Sequence, residues 1–220
     1  MMMRAVVVAA VCAGVVAGCG AQSQDRGPTA DLSKIADIKA SFGPQFRLTE
    51  IAPTGIDPKV LAGQKLPDGI VFQPASCGTF ATGQLVPTGT EGNMAAVSAE
   101  GEGNRFVVIA LETNEPVPVV EPGPDCQKVS FVGGPLRGTV DAVEVPRIDG
   151  TKTIGVHRVV QTVIDGKPRT GEVFNYSAHF GNYQVIVSAN PLVLQDKPVV
   201  PVNTQRARDL LIAGVNAIRK

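Results

Sequence analysis

The chain has 220 residues, 44% of them hydrophobic and 18% charged, which suits one domain with a sizeable core or at most two small ones. Lys and Arg number 20 against 20 for Asp and Glu, with no basic run. This excludes a nucleic-acid footprint and a strong electrostatic hold on anionic lipid. Gly (24) and Pro (17) are frequent but stay below the ~25–30% that marks low-complexity disorder, and they fit many turns between short strands.

Residues 1–18 carry one positive charge at Arg4, then an apolar stretch, then small residues before a cysteine. That is the plan of a secretory signal, and the stretch is shorter than the ~20 apolar residues a bilayer span needs. Val16-Ala17-Gly18-Cys19 reads as a lipobox. Cys19 is the expected lipidation site and the first residue of the mature chain. A diacylglyceryl anchor, with palmitate among its acyl chains, would hold it at the outer face of the cytoplasmic membrane. Residues 20–30 lack apolar periodicity and read as a flexible tether. The expected division is a signal peptide over 1–18, lipidated Cys19 and tether over 19–30, and one extracytoplasmic α+β domain over 31–220.

Leu32, Ile35, Ile38 and Phe42 form one helical stripe, with Asp31 as N-cap and Gly43-Pro44 as stop. Residues 46–51 alternate like a strand, residues 57–62 suggest a short helical turn, and Ile70-Val71-Phe72 is a short strand leading through Pro74 to Cys77. Residues 78–92 read as irregular. Met94–Ala99 and Arg105–Leu111 flank a turn at residues 100–104 and predict a hairpin. Its second strand is the most continuous apolar run of the mature chain and should be central. Residues 113–124 form a Pro-rich loop to Cys126. Residues 138–145, 152–164, 170–180 and 183–189 predict a meander, with tight turns at Asp165-Gly166 and Gly181-Asn182.

If Phe180 pairs with Tyr183, one sheet face carries Phe174, Tyr176, Ala178, Phe180, Tyr183, Val185 and Val187, joined by His157, Val159 and Val163. The other carries Arg158, Thr162, Asn175, Ser177, His179, Gln184 and Ser188, mixed with Ile154, Val156, Val160 and Ile186. The first is the core face, and the second is expected to be polar and half-exposed. Asn203 caps a final helix whose apolar stripe runs through Ala207, Leu210, Leu211, Gly214, Val215 and Ile218 and docks on the core face. The fold expected is an antiparallel sheet of about five to seven strands, with N- and C-terminal helices packed on one face.

Of four cysteines, Cys12 leaves with the leader and Cys19 is lipidated. Cys77 and Cys126 remain as an even pair in an oxidising compartment, which makes a disulfide the default. Two buried thiols, or a redox or metal pair, are the competing readings; no Cys-x-x-Cys is present.

No Gly-x-Ser-x-Gly and no Ser-x-x-Lys presents a serine nucleophile. Ser177 and His179 share a strand face, which alternation alone explains. Two histidines are too few for a His-rich metal site: His157 reads as a core-edge residue bonded to backbone, His179 as solvent-facing. Glu112, Glu115, Glu121 and Asp125 surround the Pro-rich loop without the order of a calcium loop. Gly101-x-Gly103 opens no helix and is a turn. The expectation is therefore no catalytic residue, no metal and no cofactor.

The lipobox, the helix Asp31–Phe42, the Phe72-x-Pro74-x-x-Cys77 segment, the meander 152–189 and the terminal helix 203–219 together resemble the lipoproteins of mycobacteria and related actinobacteria, in which a lipobox and short tether precede an uncharacterised α+β domain. The plan also looks like the extracellular sensor domains of mycobacterial Ser/Thr kinases, although this chain has one mature cysteine pair where those carry two, and no Trp. The resemblance implies a non-enzymatic envelope domain that binds a small molecule or lipid at a sheet–helix cleft. The alternatives are a structural lipoprotein tethering an envelope protein partner through the polar face, and an envelope hydrolase.

Overall fold

The computed structural model describes residues 29–59, 66–82, 86–87, 89–195 and 197–219. The expected signal peptide, the expected lipobox with Cys19 and most of the expected tether lie outside the described residues, as does part of the expected turn at 57–62.

One antiparallel sheet of nine strands dominates, which corrects the expected five to seven. In chain order the strands are β1 (Arg47–Gly55), β2 (Val71–Gln73), β3 (Gly92–Gly101), β4 (Asn104–Thr113), β5 (Lys128–Gly133), β6 (Leu136–Ala142), β7 (Lys152–Ile164), β8 (Lys167–Phe180) and β9 (Tyr183–Pro191). Their spatial order is β1-β3-β4-β9-β8-β7-β6-β5-β2. The hairpin β3–β4 and the meander β6–β9 stand where expected, and β4 is interior, between β3 and β9. The additions are β5, which sequence reading passed over, and the full length of β1. The edge strand β1 carries no buried side chain along its length, so its sequence signals weakly.

The turns are two-residue loops. Glu102 and Gly103 have φ of 50° and 74°, and Asp165 and Gly166 have φ of 51° and 73°. Positive φ at both central positions gives the turn whose twist matches that of the flanking strands.

The meander register is the expected one: Phe180 faces Tyr183, Ala178 faces Val185, Tyr176 faces Val187, and Phe174 faces His157. A single apolar cluster joins this face to the terminal helix Thr204–Ile218 and to the N-terminal helix Leu32–Ser41. Asn203 caps the terminal helix by accepting from the Arg206 N–H at 2.9 Å. The N-terminal helix is of the 3-10 type rather than α. Its buried residues Leu32, Ile35 and Ile38 recur every three positions, the spacing that falls on one line when a turn holds three residues. A Cβ built on Gly214 would come within 3.0 Å of Val185 and 3.3 Å of Ile35. The terminal helix therefore seats directly on β9, with side chains filling the space between.

The second face has two smaller clusters. One gathers Cys77, Phe80 and Ala81 over Val129, Phe131, Val140, Ile154 and Val156. It includes a short helix, Gly78–Thr82, where an irregular stretch was expected. The other holds Val86, Met94, Ala96, Ile109, Leu111 and Ile186. Cys77 and Cys126 are joined in a disulfide across a sequence separation of 49, with Cα atoms 5.5 Å apart. The bond ties the end of the Pro-rich loop to the segment that covers β5–β7. Among the described residues no helix is long and apolar enough to cross a membrane.

Candidate functional site

The sequence drew attention to Ser177 and His179, and the structure brings them together. Ser177 Oγ lies 3.1 Å from His179 Nε2, and Gln184 Nε2 approaches the same ring nitrogen at 3.3 Å. The pair is not laid out for catalysis. Ser177 is 4% exposed, and His179 Nδ1 is buried without a hydrogen-bond partner. A serine base needs a carboxylate at that position to hold the ring and its developing charge. Burial also pulls the His179 pKa down from 6.5 to about 4, so the ring is neutral and a weak base near pH 7.

This corrects the expectation that His179 faces solvent on a half-exposed polar face. Asn175, Ser177, Gln184 and Ser188 are all buried, because Ile56, Cys77, Phe80, Ala81 and Val86 pack on this side of the sheet. Buried hydroxyls and amides must then bond to one another, as Ser188 does in donating to Asn175 Oδ1 at 2.6 Å. Arg158 is buried among them, reaching the Ala81 carbonyl at 3.4 Å, and burial lowers its pKa.

A pH dependence of stability follows. Above pH 6.5 His179 is neutral in folded and unfolded chains alike and contributes nothing. As pH falls from 6.5 toward 4 only the unfolded chain takes up the proton, so stability is lost over that window. Between pH 7 and about pH 4.5 the loss from this residue is about 2 kcal/mol. Urea unfolding of the native chain and His179→Gln at both pH values checks it. The native chain should lose that much more than the variant, and equal losses would refute the burial effect.

His157 lies on the helix face as expected, but its partner is not backbone. Its ring stacks on Phe174 with centroids 4.0 Å apart, and Nε2 lies 2.9 Å from the Glu172 carboxylate. Of the acidic residues around the Pro-rich loop, Glu112 accepts from the Tyr183 hydroxyl at 3.0 Å. Among the described residues no group of three or more His, Cys, Asp or Glu could hold a metal ion.

The feature that sequence reading did not single out is a cleft of about 530 Å³ on the second face, over β1, β3, β4 and β9. Cross-strand register builds it row by row. One row runs Arg47, Glu100, Arg105, Asn190; the next runs Thr49, Ser98, Val107, Ser188. A third begins Ile51, Ala96 and merges into the apolar cluster at Ile109. Val173 closes one side. The hollow exists because the floor is made of small side chains, Ala96, Ser98 and Ser188, on a part of the sheet over which no described helix lies.

The rim is charged. Arg47 donates to Glu100, and Arg105 Nε lies 3.7 Å from the other oxygen of that carboxylate. Lys59 reaches the cleft from a short segment fixed at Asp57. The Asp57 N–H contacts Met94 Sδ at 3.3 Å, and its carboxylate accepts from the Lys59 N–H at 2.8 Å. The cleft thus holds three cationic side chains and, among its described lining residues, one carboxylate. Exposed pairs of this kind add little to stability, so the charge is free to serve a ligand.

A family model, described as a domain of unknown function, matches residues 31–219. The chain belongs to the DUF5642 family. Among solved structures, the X-ray structure of an uncharacterized protein from Mycobacterium smegmatis is 58% identical, with a TM-score of 0.81, over 88% of this chain and 99% of that one. This bears out the mycobacterial resemblance read from the sequence. The extracellular domain of PknH from Mycobacterium tuberculosis aligns over 86% of this chain and 93% of that one, at 12% identity and a TM-score of 0.36. No curated protein matches the chain.

Proposed function

We propose that this DUF5642 domain is a non-enzymatic ligand-holding lipoprotein of the cell envelope, anchored through Cys19 at the outer face of the cytoplasmic membrane and binding its ligand in the cleft over β1, β3, β4 and β9. The observation that carries the reading is the cleft itself. Its volume of about 530 Å³ falls within the ~300–1,000 Å³ range of small-molecule sites, and a charged rim, hydroxyl side chains and apolar side chains meet in it. This reading moves the ligand from the sheet–helix cleft first expected to the opposite side of the sheet, since an apolar cluster packs between the terminal helix and β9. The disulfide supports an extracytoplasmic setting, since such bonds persist in oxidising compartments. The buried Ser177–His179 pair without a carboxylate weighs against the hydrolase reading.

Native mass spectrometry of the full chain extracted from membranes in neutral detergent tests both parts. The native chain should carry a diacylglyceryl group that Cys19→Ser lacks, together with a dissociable ligand. Ser98→Phe, which fills the cleft floor, should keep the lipid and lose the ligand. A native chain with no dissociable mass, or one that Ser98→Phe leaves unchanged, overturns the cleft as the binding site.

A further inference from the structure

We infer that the cleft takes an anionic amphiphile: a phosphate or carboxylate head held by Arg105, Arg47 and Lys59, with an apolar body lying on Ile51, Ala96, Val107 and Val173. The inference rests on the ligand-holding reading above and adds the ligand's chemical class. Two observations carry it, one for each end of the ligand.

The first is the charge balance of the rim. Arg47, Lys59 and Arg105 line the cleft with Glu100 as the sole carboxylate among its described lining residues. Glu100 engages one nitrogen of Arg47 and lies beyond hydrogen-bond distance of Arg105. Among the described residues, most guanidinium donors of the two arginines meet no other side chain and face the cleft. Register sets these residues in line: Arg47 and Arg105 are the cross-strand neighbours of Glu100 on either side. Register therefore places the two guanidinium groups in one row, flanking Glu100 at the mouth of one cleft, where they suit the planar or tetrahedral oxygens of a carboxylate or phosphate. A cationic ligand would face like charge from three sides, and a neutral polar one would leave that charge unused.

The second is the order of polarity along the strands. Moving away from the charged row, the floor becomes Thr49, Ser98, Val107 and Ser188, and then Ile51 and Ala96. Beyond them lies the apolar cluster with Ile109 and Ile186. Polarity thus falls along one axis from ionic to hydroxyl to hydrocarbon. A free inorganic anion would use the first row alone, and an uncharged hydrocarbon the last. A molecule with both ends uses all three.

The experiment is isothermal titration of the full chain in a neutral detergent with octyl phosphate, octanoate, inorganic phosphate, octyl glucoside and octyltrimethylammonium. Octyl phosphate and octanoate should bind, and raising the salt should weaken them. Inorganic phosphate and the two non-anionic amphiphiles should bind at least about tenfold more weakly, since each lacks one set of contacts, and a charge-assisted contact is worth about a tenfold change. Arg105→Gln and Lys59→Gln, both on the exposed rim, should each weaken octyl phosphate by about tenfold on the same basis. Ser98→Phe should abolish its binding.

If octyl glucoside or octyltrimethylammonium binds as tightly as octyl phosphate and Ser98→Phe removes it, the cleft is a ligand site but the anionic assignment is wrong. If inorganic phosphate matches octyl phosphate, the apolar half of the inference is wrong. If octyl phosphate binding survives Ser98→Phe and the rim substitutions, the anion sits elsewhere. Failure of every probe to bind overturns the inference and counts against the ligand-holding reading as well.

Discussion

Replacing Cys77 and Cys126 together by serine is expected to lower stability by about 4 kcal/mol in the chain-entropy account of a loop this long, the bond closing a separation of 49 residues. The effect should concentrate in one part of the fold. Cys77 is fully buried beside Phe80 and Ala81, and with them forms the cover over Val129, Phe131, Val140, Ile154 and Val156. That cover reaches the sheet through β2, an edge strand of only three residues paired to β5. On the other side the Pro-rich loop from residue 114 to 123 brings few ladder hydrogen bonds of its own. Without the covalent tie, both segments bear their ordering entropy on a small apolar cluster. Urea unfolding of the native chain and the double serine variant at neutral pH checks the total. Amide exchange checks the place: protection should fall first in β2, β5 and β6, while β4 and β9 keep theirs. A double variant within about 1 kcal/mol of the native chain, well under the entropic value, would show that the cluster holds the cover without help.

The sequence made some of this legible and hid the rest for identifiable reasons. The meander could be read down to its register, because a tight turn at Gly181-Asn182 pairs Phe180 with Tyr183, the pairing the structure has, and alternation then assigns every side chain to a face. The strand β5 was as regular, with Val129 and Phe131 inward and Lys128, Ser130 and Val132 outward. It is six residues long between a Pro-rich loop and a Gly-Pro turn, and those neighbours masked it. The second face was misjudged because alternation says which residues share a side and not what crosses over it. Ser177 and His179 look exposed in a strand read by itself; Ser177 is buried and His179 half-buried once Cys77, Phe80, Ala81 and Val86 pack on that side of the sheet. The cleft was hidden for a related reason. Arg47 and Thr49 belong to β1, and Ser188 and Asn190 to β9, more than a hundred residues on. Only the strand order β1-β3-β4-β9 puts them in the same rows. Small residues at Ala96 and Ser98 read as unremarkable in sequence, yet they make the floor low enough to admit a ligand.

Leu211→Ala is expected to cost about 2–5 kcal/mol, the range for truncating a buried leucine that leaves a cavity. Leu211 has no exposed surface, and it sits in the stripe of the terminal helix with Ala207, Leu210, Gly214, Val215 and Ile218. The close approach of Gly214 to Val185 and Ile35 holds the helix at a fixed height over β9. It therefore has little room to settle into the space that Leu211 would vacate, which places the cost toward the upper part of that range. The same substitution separates the roles of the two sheet faces. Leu211 and the cleft lie on opposite sides of the sheet and share no partner. For sites that do not share contacts, effects add to within about twofold in an equilibrium constant, so octyl phosphate affinity of the still-folded variant should stay within that margin. Ser98→Phe should do the reverse, removing the ligand while leaving the terminal helix in place. Thermal unfolding and titration of both variants test the assignment together. Loss of binding in Leu211→Ala below its unfolding transition would move the ligand to the helix face, and the cleft over β1, β3, β4 and β9 would then be a surface hollow without a binding role.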